Sequence, residues 1–346
     1  MGPLLVVFLR GGADGLSLLA PVGDPAYATT RGPLAVTGGL PVDGTFALHP
    51  ALSHLHARWQ LGQVAAVPAV GVPKMSRSHF DAQFRVESAA SATGSAGDAG
   101  WLGRHLRRTA HRAPRPFRGI SFGAANVPRL LGGTTDAVAA PSLAALSLGR
   151  GRLSSEQETQ FRSVLAEMWT GDDARAALTV VDRAAALRPP ASAEPDPVAD
   201  TLSVLAAGLG TEVAVVDLGG WDTHAAQGTN SGTFRSLAEQ LDRTVESMLS
   251  AVPDATVLVV TEFGRRVQPN SSGGTDHGRG AAAFLVGTNV RGGVRGDWPG
   301  LAVLDEGDVV TANDLRDVMA ETTLAVLDGD DKVVGPRTGA RLGLFR

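Results

Sequence analysis

Four apolar runs constrain this chain more than anything else in it. They are LLVVFL at residues 4–9, VAAVPAVGV at 64–72, EVAVVDL at 212–218 and ATVLVVT at 255–261. Apolar residues follow one another in them almost without interruption, the pattern of a strand covered on both faces. A fifth run, AAAFLV at 281–286, is a candidate antiparallel or edge strand. Helical periodicity falls between the runs, at 50–61, 78–88, 233–251 and 313–327. Strands alternating with helices build a sheet that carries helices on both faces. The expected class is α/β: a three-layer α/β/α sandwich with a mainly parallel sheet.

The middle of the chain differs. Residues 88–100 are rich in Ser, Ala and Gly and read as a flexible loop. Residues 154–188 have a helical pattern broken near Gly171, and PPASAEPDP at 189–197 connects it to a further helix at 198–209. Residues from about 100 to 200 are therefore expected to be a mostly helical insertion in one α/β domain spanning 1–346.

Composition removes several function classes. With 31 basic against 35 acidic residues the net charge is −4, and no Lys/Arg run forms a nucleic-acid footprint. There is no cysteine, which excludes disulfides, thiolate nucleophiles and Cys-ligated zinc. No apolar run approaches the ~18 residues of a membrane span. The opening MGPLLVVFLRGG lacks a charged n-region and a small-residue cleavage site, so it reads as a first strand and not as a signal peptide. Arginine far outnumbers lysine (Lys74 and Lys332), which with abundant Ala, Gly and Val fits a GC-rich bacterial genome.

In an open α/β sheet, ligands bind beyond the carboxyl ends of the strands. The first run ends in RGGADG, with Arg10 and Asp14, and the second in VPKMSRSHF, with Ser76, Ser78 and His79. The third ends in LGGWDTH, with Asp222 and His224. The fourth stops at Glu262, and a Gly-rich loop then leads to Asp276 and His277. Carboxylates and imidazoles brought to one edge are a donor set for a divalent metal, with zinc, manganese, calcium and magnesium all open. Each residue also has a plainer reading. Asp14 suits a turn, Ser78 with Asp81 resembles a capping box, and His224 and His277 suit structural roles. Arg265 and Arg266 are either surface arginines or bidentate contacts to an anionic ester.

Two motifs do not hold up. GISFG at 119–123 matches G-x-S-x-G, but a nucleophile elbow needs a strand before it and a helix after it, and Pro128 interrupts the segment where that helix would lie. RGGADG is a poor dinucleotide fingerprint, because no helix clearly opens after it and Pro21 intrudes.

FLRGGADGLSLLAP, LHPAL, SRSHFDAQ, GWLGR, DTHAAQG, EFGRRVQPNSSGGTDHGRG, GGVRGDWP and DLRDVMAE occur in this order from the first residues to about Leu327. Together they resemble a bacterial family catalogued as domain of unknown function 1501, placed in the alkaline-phosphatase-like superfamily with sulfatases and phosphodiesterases. The resemblance implies an exported protein, one or two divalent ions, and a phosphate or sulfate ester of a small molecule or carbohydrate as substrate. By the same resemblance Asp14 is a metal ligand after the first strand. Ser78 is the nucleophile at a helix N-terminus, with Ser76 in reserve. Asp222 with His224, and His277 in GTDHG, bind metal, and Asp276 is a ligand or holds His277. Relatives end the fourth strand in Ser/Ala-Asp-His-Gly. Here Glu262 stands for the Asp as a metal ligand, and Phe263 replaces the His.

Two functions are open on this reading. In the first, the chain is a metal-dependent hydrolase: Ser78 attacks phosphorus or sulfur, His79 or His224 protonates the leaving group, and Arg265 meets the ester oxygens. In the second, it is a non-catalytic binding or assembly protein on a degenerate scaffold.

Overall fold

The computed structural model describes residues 2–89, 99–110, 117–146 and 194–346, with scattered positions between 154 and 187. The expected loop at 88–100 and the helical pattern at 154–188 lie largely outside the described residues. So does most of the 189–197 connector. The described strands, in chain order, begin with β1 (Leu4–Leu9), β2 (Leu19–Ala20), β3 (Leu40–Pro41), β4 (Ala47–Leu48), β5 (Val64–Gly71) and β6 (Gly119–Phe122). They continue with β7 (Ala137–Ala140), β8 (Val213–Leu218), β9 (Thr256–Thr261), β10 (Ala281–Val286), β11 (Gly293–Val294) and β12 (Asn313–Asp314). The architecture is the expected three-layer α/β/α arrangement with a largely parallel sheet. Among the described residues, no helix is long and apolar enough to cross a membrane.

The chain divides into two compact units, Met1–Gly97 with Asp217–Arg346, and Asp98–Val216. In the first unit β1 pairs in parallel with β9, from Leu4 opposite Thr256 to Leu9 opposite Thr261. Every residue of β1, β5, β9 and β10 is buried, which is why these strands are continuous apolar runs rather than alternating ones. Helices Ser53–Gln60, His79–Ser88, Thr233–Ala251 and Leu315–Val326 occupy the stretches with helical periodicity. In the second unit β6 pairs in parallel with β7 and β8, so its described residues include strands beside helices such as Pro197–Ala206. GISF is β6 itself, with Ser121 buried in it, so the G-x-S-x-G match forms no elbow.

The fifth run is antiparallel, and it is not at an edge: β10 lies between β9 and β5 and is antiparallel to both. This arrangement positions the site. β5 and β9 each oppose β10, so they run in the same direction, as does β1. Their carboxyl ends share one edge of the sheet, and the loop leaving β9 must return to that edge to enter β10. Residues 262–280 do so as a closed ribbon. Gly264 donates to the Arg279 carbonyl at 3.0 Å, Gly278 to the Gly264 carbonyl at 2.8 Å, and Arg266 to the Asp276 carbonyl at 2.9 Å.

The ribbon is tight enough to require glycine. A Cβ on Gly264 would sit 2.0 Å from the Gly280 carbonyl oxygen and 2.6 Å from its carbon. Because those atoms are backbone, relief requires the ribbon to open. Gly264→Ala is expected to destabilise the protein by about 1–3 kcal/mol, the usual cost of overpacking, read from the denaturant midpoint. An unchanged midpoint would contradict this account of the ribbon.

Candidate metal centre

Three imidazoles and one carboxylate meet at the shared edge. His79 opens the helix after β5, Asp222 and His224 follow β8, and His277 lies near the end of the ribbon. The Nε2 atoms of His224 and His277 each lie 3.1 Å from Asp222 Oδ1, and His79 Nε2 lies 3.6 Å from Asp222 Oδ2. The two imidazoles His224 and His277 face each other, Nε2 to Nε2, at 2.9 Å. Donor atoms of His79, Asp222 and His277 all lie within 4.8 Å of one another.

The outer nitrogens explain this geometry. His79 Nδ1 is 2.9 Å from Glu262 Oε1, and His277 Nδ1 is 2.8 Å from the Arg77 carbonyl oxygen. Both partners only accept, so each ring donates from Nδ1, and a neutral ring then has its lone pair at Nε2, toward Asp222. Without an ion, a proton on His277 Nε2 bridges it to Asp222 Oδ1 at 3.1 Å; with one, both lone pairs and the carboxylate are ligands. An imidazole whose far nitrogen is held by a carboxylate or carbonyl is the usual arrangement behind a metal ligand. The donor set therefore fits a divalent ion held by His79, Asp222 and His277.

The carboxylates are kept ionised by their neighbours. Burial raises the Asp222 carboxyl, but hydrogen bonds from Arg265 and His277 and the charges of Arg265 and His224 outweigh it and hold the group below its ordinary value. Burial also raises Glu262. It is overcome by the residue's own backbone N–H, His79, Gln83 and the Gly11 N–H, and the net shift is again downward. Asp276 is lowered chiefly by the hydrogen bond from Asn270, with His224 contributing.

Several residues expected to meet metal or substrate are engaged elsewhere. The fully buried Asp14 caps Gly15–Leu18 and pairs with Arg31, while Ser17 Oγ and Gln227 Nε2 donate to its Oδ2 at 2.8 and 2.7 Å. Glu262 accepts from Gly11 N at 2.9 Å, Gln83 Nε2 at 3.1 Å and His79, so it stands behind His79 and not in the cluster. Asp276 holds His224 Nδ1 at 3.3 Å rather than His277. Phe263 packs against the rings of His79 and His277 at centroid distances of 4.8 and 4.6 Å, forming an apolar wall.

Arg265 is buried, so it is no clamp for an ester. It donates to the carbonyls of Gly12 at 2.6 Å, Thr275 at 2.8 Å and Trp221 at 3.1 Å, to that of Gly11, and to Asp222 Oδ1 at 2.5 Å. One guanidinium thus joins the loops after β1, β8 and β9. Ser78 is the exposed N-cap of its helix, yet its side chain makes no cap bond; Asp81 instead accepts from Ser76 Oγ at 2.8 Å and pairs with Arg85. The capping-box reading of Ser78 with Asp81 therefore fails.

Of the supporting residues that sequence reasoning passed over, Gln83 was legible: it lies one turn from His79 on the same helix face. The Arg77 carbonyl, Arg31 and Gln227 had no comparable signal.

The roles of Arg265 can be separated by Arg265→Lys. One ammonium cannot serve four carbonyls and a carboxylate, and each buried carbonyl left unpaired costs about 1–3 kcal/mol. The variant is expected to lose about 3 kcal/mol or more of stability in denaturant unfolding. A substrate clamp would leave stability unchanged, and that result would contradict the structural role.

No curated protein matches the chain. Solved structures similar to it include two of the C-terminal periplasmic domain of EcEptC from Escherichia coli. The first has a TM-score of 0.43 and 10% identity, over 98% of this chain and 88% of that one. The second, a complex with Zn, has a TM-score of 0.40 and 10% identity, over 99% and 88%. A family model described as "Protein of unknown function (DUF1501)" matches residues 57–334, most of the chain and nearly all of the site, and the chain belongs to that family.

Proposed function

We propose that the chain is a metal-dependent hydrolase of phosphate or sulfate esters, with one divalent transition-metal ion held by His79, Asp222 and His277 and with Ser78 as nucleophile. The observation that carries this reading is the pair of anchored imidazoles, His79 on Glu262 and His277 on the Arg77 carbonyl, whose lone pairs face the Asp222 carboxylate. Two nitrogens and one oxygen favour zinc or a neighbouring transition metal over calcium or magnesium, which prefer all-oxygen sites. Three protein ligands leave a coordination position open, as in catalytic rather than structural sites. A bound ion would polarise the ester oxygens and favour the ionised form of a nearby hydroxyl.

The residues around this site suit the remaining tasks. Ser78 is held on both sides, because the Arg77 carbonyl accepts from His277 and His79 is itself a ligand. Its exposed hydroxyl is not engaged in capping, whereas Ser76 donates to Asp81, which supports Ser78 as the attacking group. Attack by Ser78 Oγ, whose proton passes to solvent, forms the new oxygen–phosphorus or oxygen–sulfur bond and breaks the bond to the leaving oxygen. That oxygen needs a proton, and His224 is placed to give it. Asp276 braces its Nδ1, and its Nε2 is left to the leaving oxygen when an ion takes the His277 Nε2 lone pair. Water then cleaves the seryl ester, its oxygen going to phosphorus or sulfur and one proton to Ser78 Oγ; the phosphate or sulfate leaves and His224 regains a proton from solvent.

One observation favours the alternative, a non-catalytic binding protein on this scaffold: Arg265 is occupied internally, so it is not available to the ester oxygens. Aryl phosphates, phosphodiesters and aryl sulfates assayed with added zinc, cobalt and manganese distinguish the two. Ser78→Ala is expected to keep fold and metal while turnover falls by ~10³ or more, the scale of a lost nucleophile. Full activity in Ser78→Ala would rule out the serine mechanism. Metal binding with no turnover on any ester class would favour the binding protein.

A further inference from the structure

We propose that Gln227 is a positioning residue that sets the spacing of the metal ligands by tying the Asp222 loop and the His277 loop to the buried Asp14. The inference rests on the metal site proposed above and concerns residues that touch neither metal nor substrate. Gln227 is completely buried. Its Oε1 accepts two hydroxyls at once, Thr223 Oγ1 at 2.9 Å and Thr275 Oγ1 at 2.7 Å. Its Nε2 donates to Asp14 Oδ2 at 2.7 Å. One planar amide therefore has both ends engaged, with two acceptor directions used by two different loops.

The positions of the two threonines give this contact its consequence. Thr223 lies between Asp222 and His224, and Thr275 lies two residues before His277. Holding both hydroxyls on one oxygen fixes the separation of the segments that deliver Asp222 and His277. The backbone is fastened nearby, since Thr275 N donates to the Thr223 carbonyl at 3.1 Å and Gln227 N to the Gly273 carbonyl at 3.0 Å. Metal–ligand distances tolerate only about ±0.2 Å, so a small change in loop separation acts directly on affinity. Asp14 supplies the fixed end. Its partner Arg31 is itself buried and bonded to the Val267 carbonyl at 3.1 Å, at the root of the ribbon. The aspartate expected to bind metal thus acts on the site through Gln227.

The test is a Co²⁺ titration of the full chain, followed by affinity and by the visible absorption of the saturated protein, which reports coordination geometry. Wild type, Gln227→Met, Thr275→Val and His277→Ala are compared, and thermal unfolding is recorded without metal. Gln227→Met and Thr275→Val are expected to bind Co²⁺ about 10–100-fold more weakly, the range for residues that orient ligands, with an altered spectrum at saturation. His277→Ala is expected to lose binding. A purely structural role would lower unfolding temperature and leave affinity and spectrum unchanged, and that result would overturn the proposal. If Gln227→Met does not fold, Thr275→Val, which removes one hydroxyl from a near-isosteric side chain, decides the matter by the same criteria. If wild type binds no Co²⁺, the metal site itself is refuted and this inference with it; if wild type binds and the two variants match it, only this inference falls.

Discussion

The site depends on one electrostatic constraint: imidazole Nε2 atoms held facing an ionised carboxylate. Glu262 and the Arg77 carbonyl fix the tautomers of His79 and His277, and Arg265 keeps Asp222 ionised. His277 Nε2 lies 3.1 Å from Asp222 Oδ1 and 2.9 Å from His224 Nε2, contacts that need either a proton or a cation between the groups. A divalent cation serves all of them at once. The surrounding architecture serves to hold the rings in this arrangement, which requires buried and well-connected supports.

The sheet supplies those supports through one reversal of direction. β10 runs against its neighbours, so the long segment after β9 returns to the edge where it began and brings His277 back to Glu262. Arg265 then joins this ribbon to the turns after β1 and β8 through backbone carbonyls. The close approach of Gly264 to Gly280, and of Gly274 to the Thr223 and His224 backbone, shows how little room the loops leave for side chains. Glycines in this loop permit backbone contact first and flexibility second.

Much of the fold was legible because buried strands leave a direct signature. The runs at 4–9, 64–72, 212–218 and 255–261 are strands, and the helices after them fall where the periodicity places them. The place of β10 in the sheet escaped, since an apolar run carries no information about its neighbours, and so did β6 and β7, which lie in the segment expected to be mostly helical. In the site, the sequence identifies which residues gather at the edge but not how each is engaged. Asp14, Glu262 and Arg265 look like ligands and a clamp in a linear reading, because nothing there reveals Arg31, His79 with Gln83, or four inward carbonyls as their partners. His79 looks like a proton donor in that reading because its neighbour across the fold, Asp222, is 143 residues away in the chain. Side-chain pairings over such separations are set by topology, which local pattern does not encode.

The most direct measurement of the central claim is anomalous diffraction from crystals grown with Zn²⁺, with data collected on both sides of the zinc edge. The account predicts one strong anomalous peak in this region, bonded to His79 Nε2, His277 Nε2 and Asp222, with Glu262 behind His79 and Asp14 still paired with Arg31. A peak ligated by Asp14 or Glu262, or no peak among these residues at saturating zinc, would contradict it.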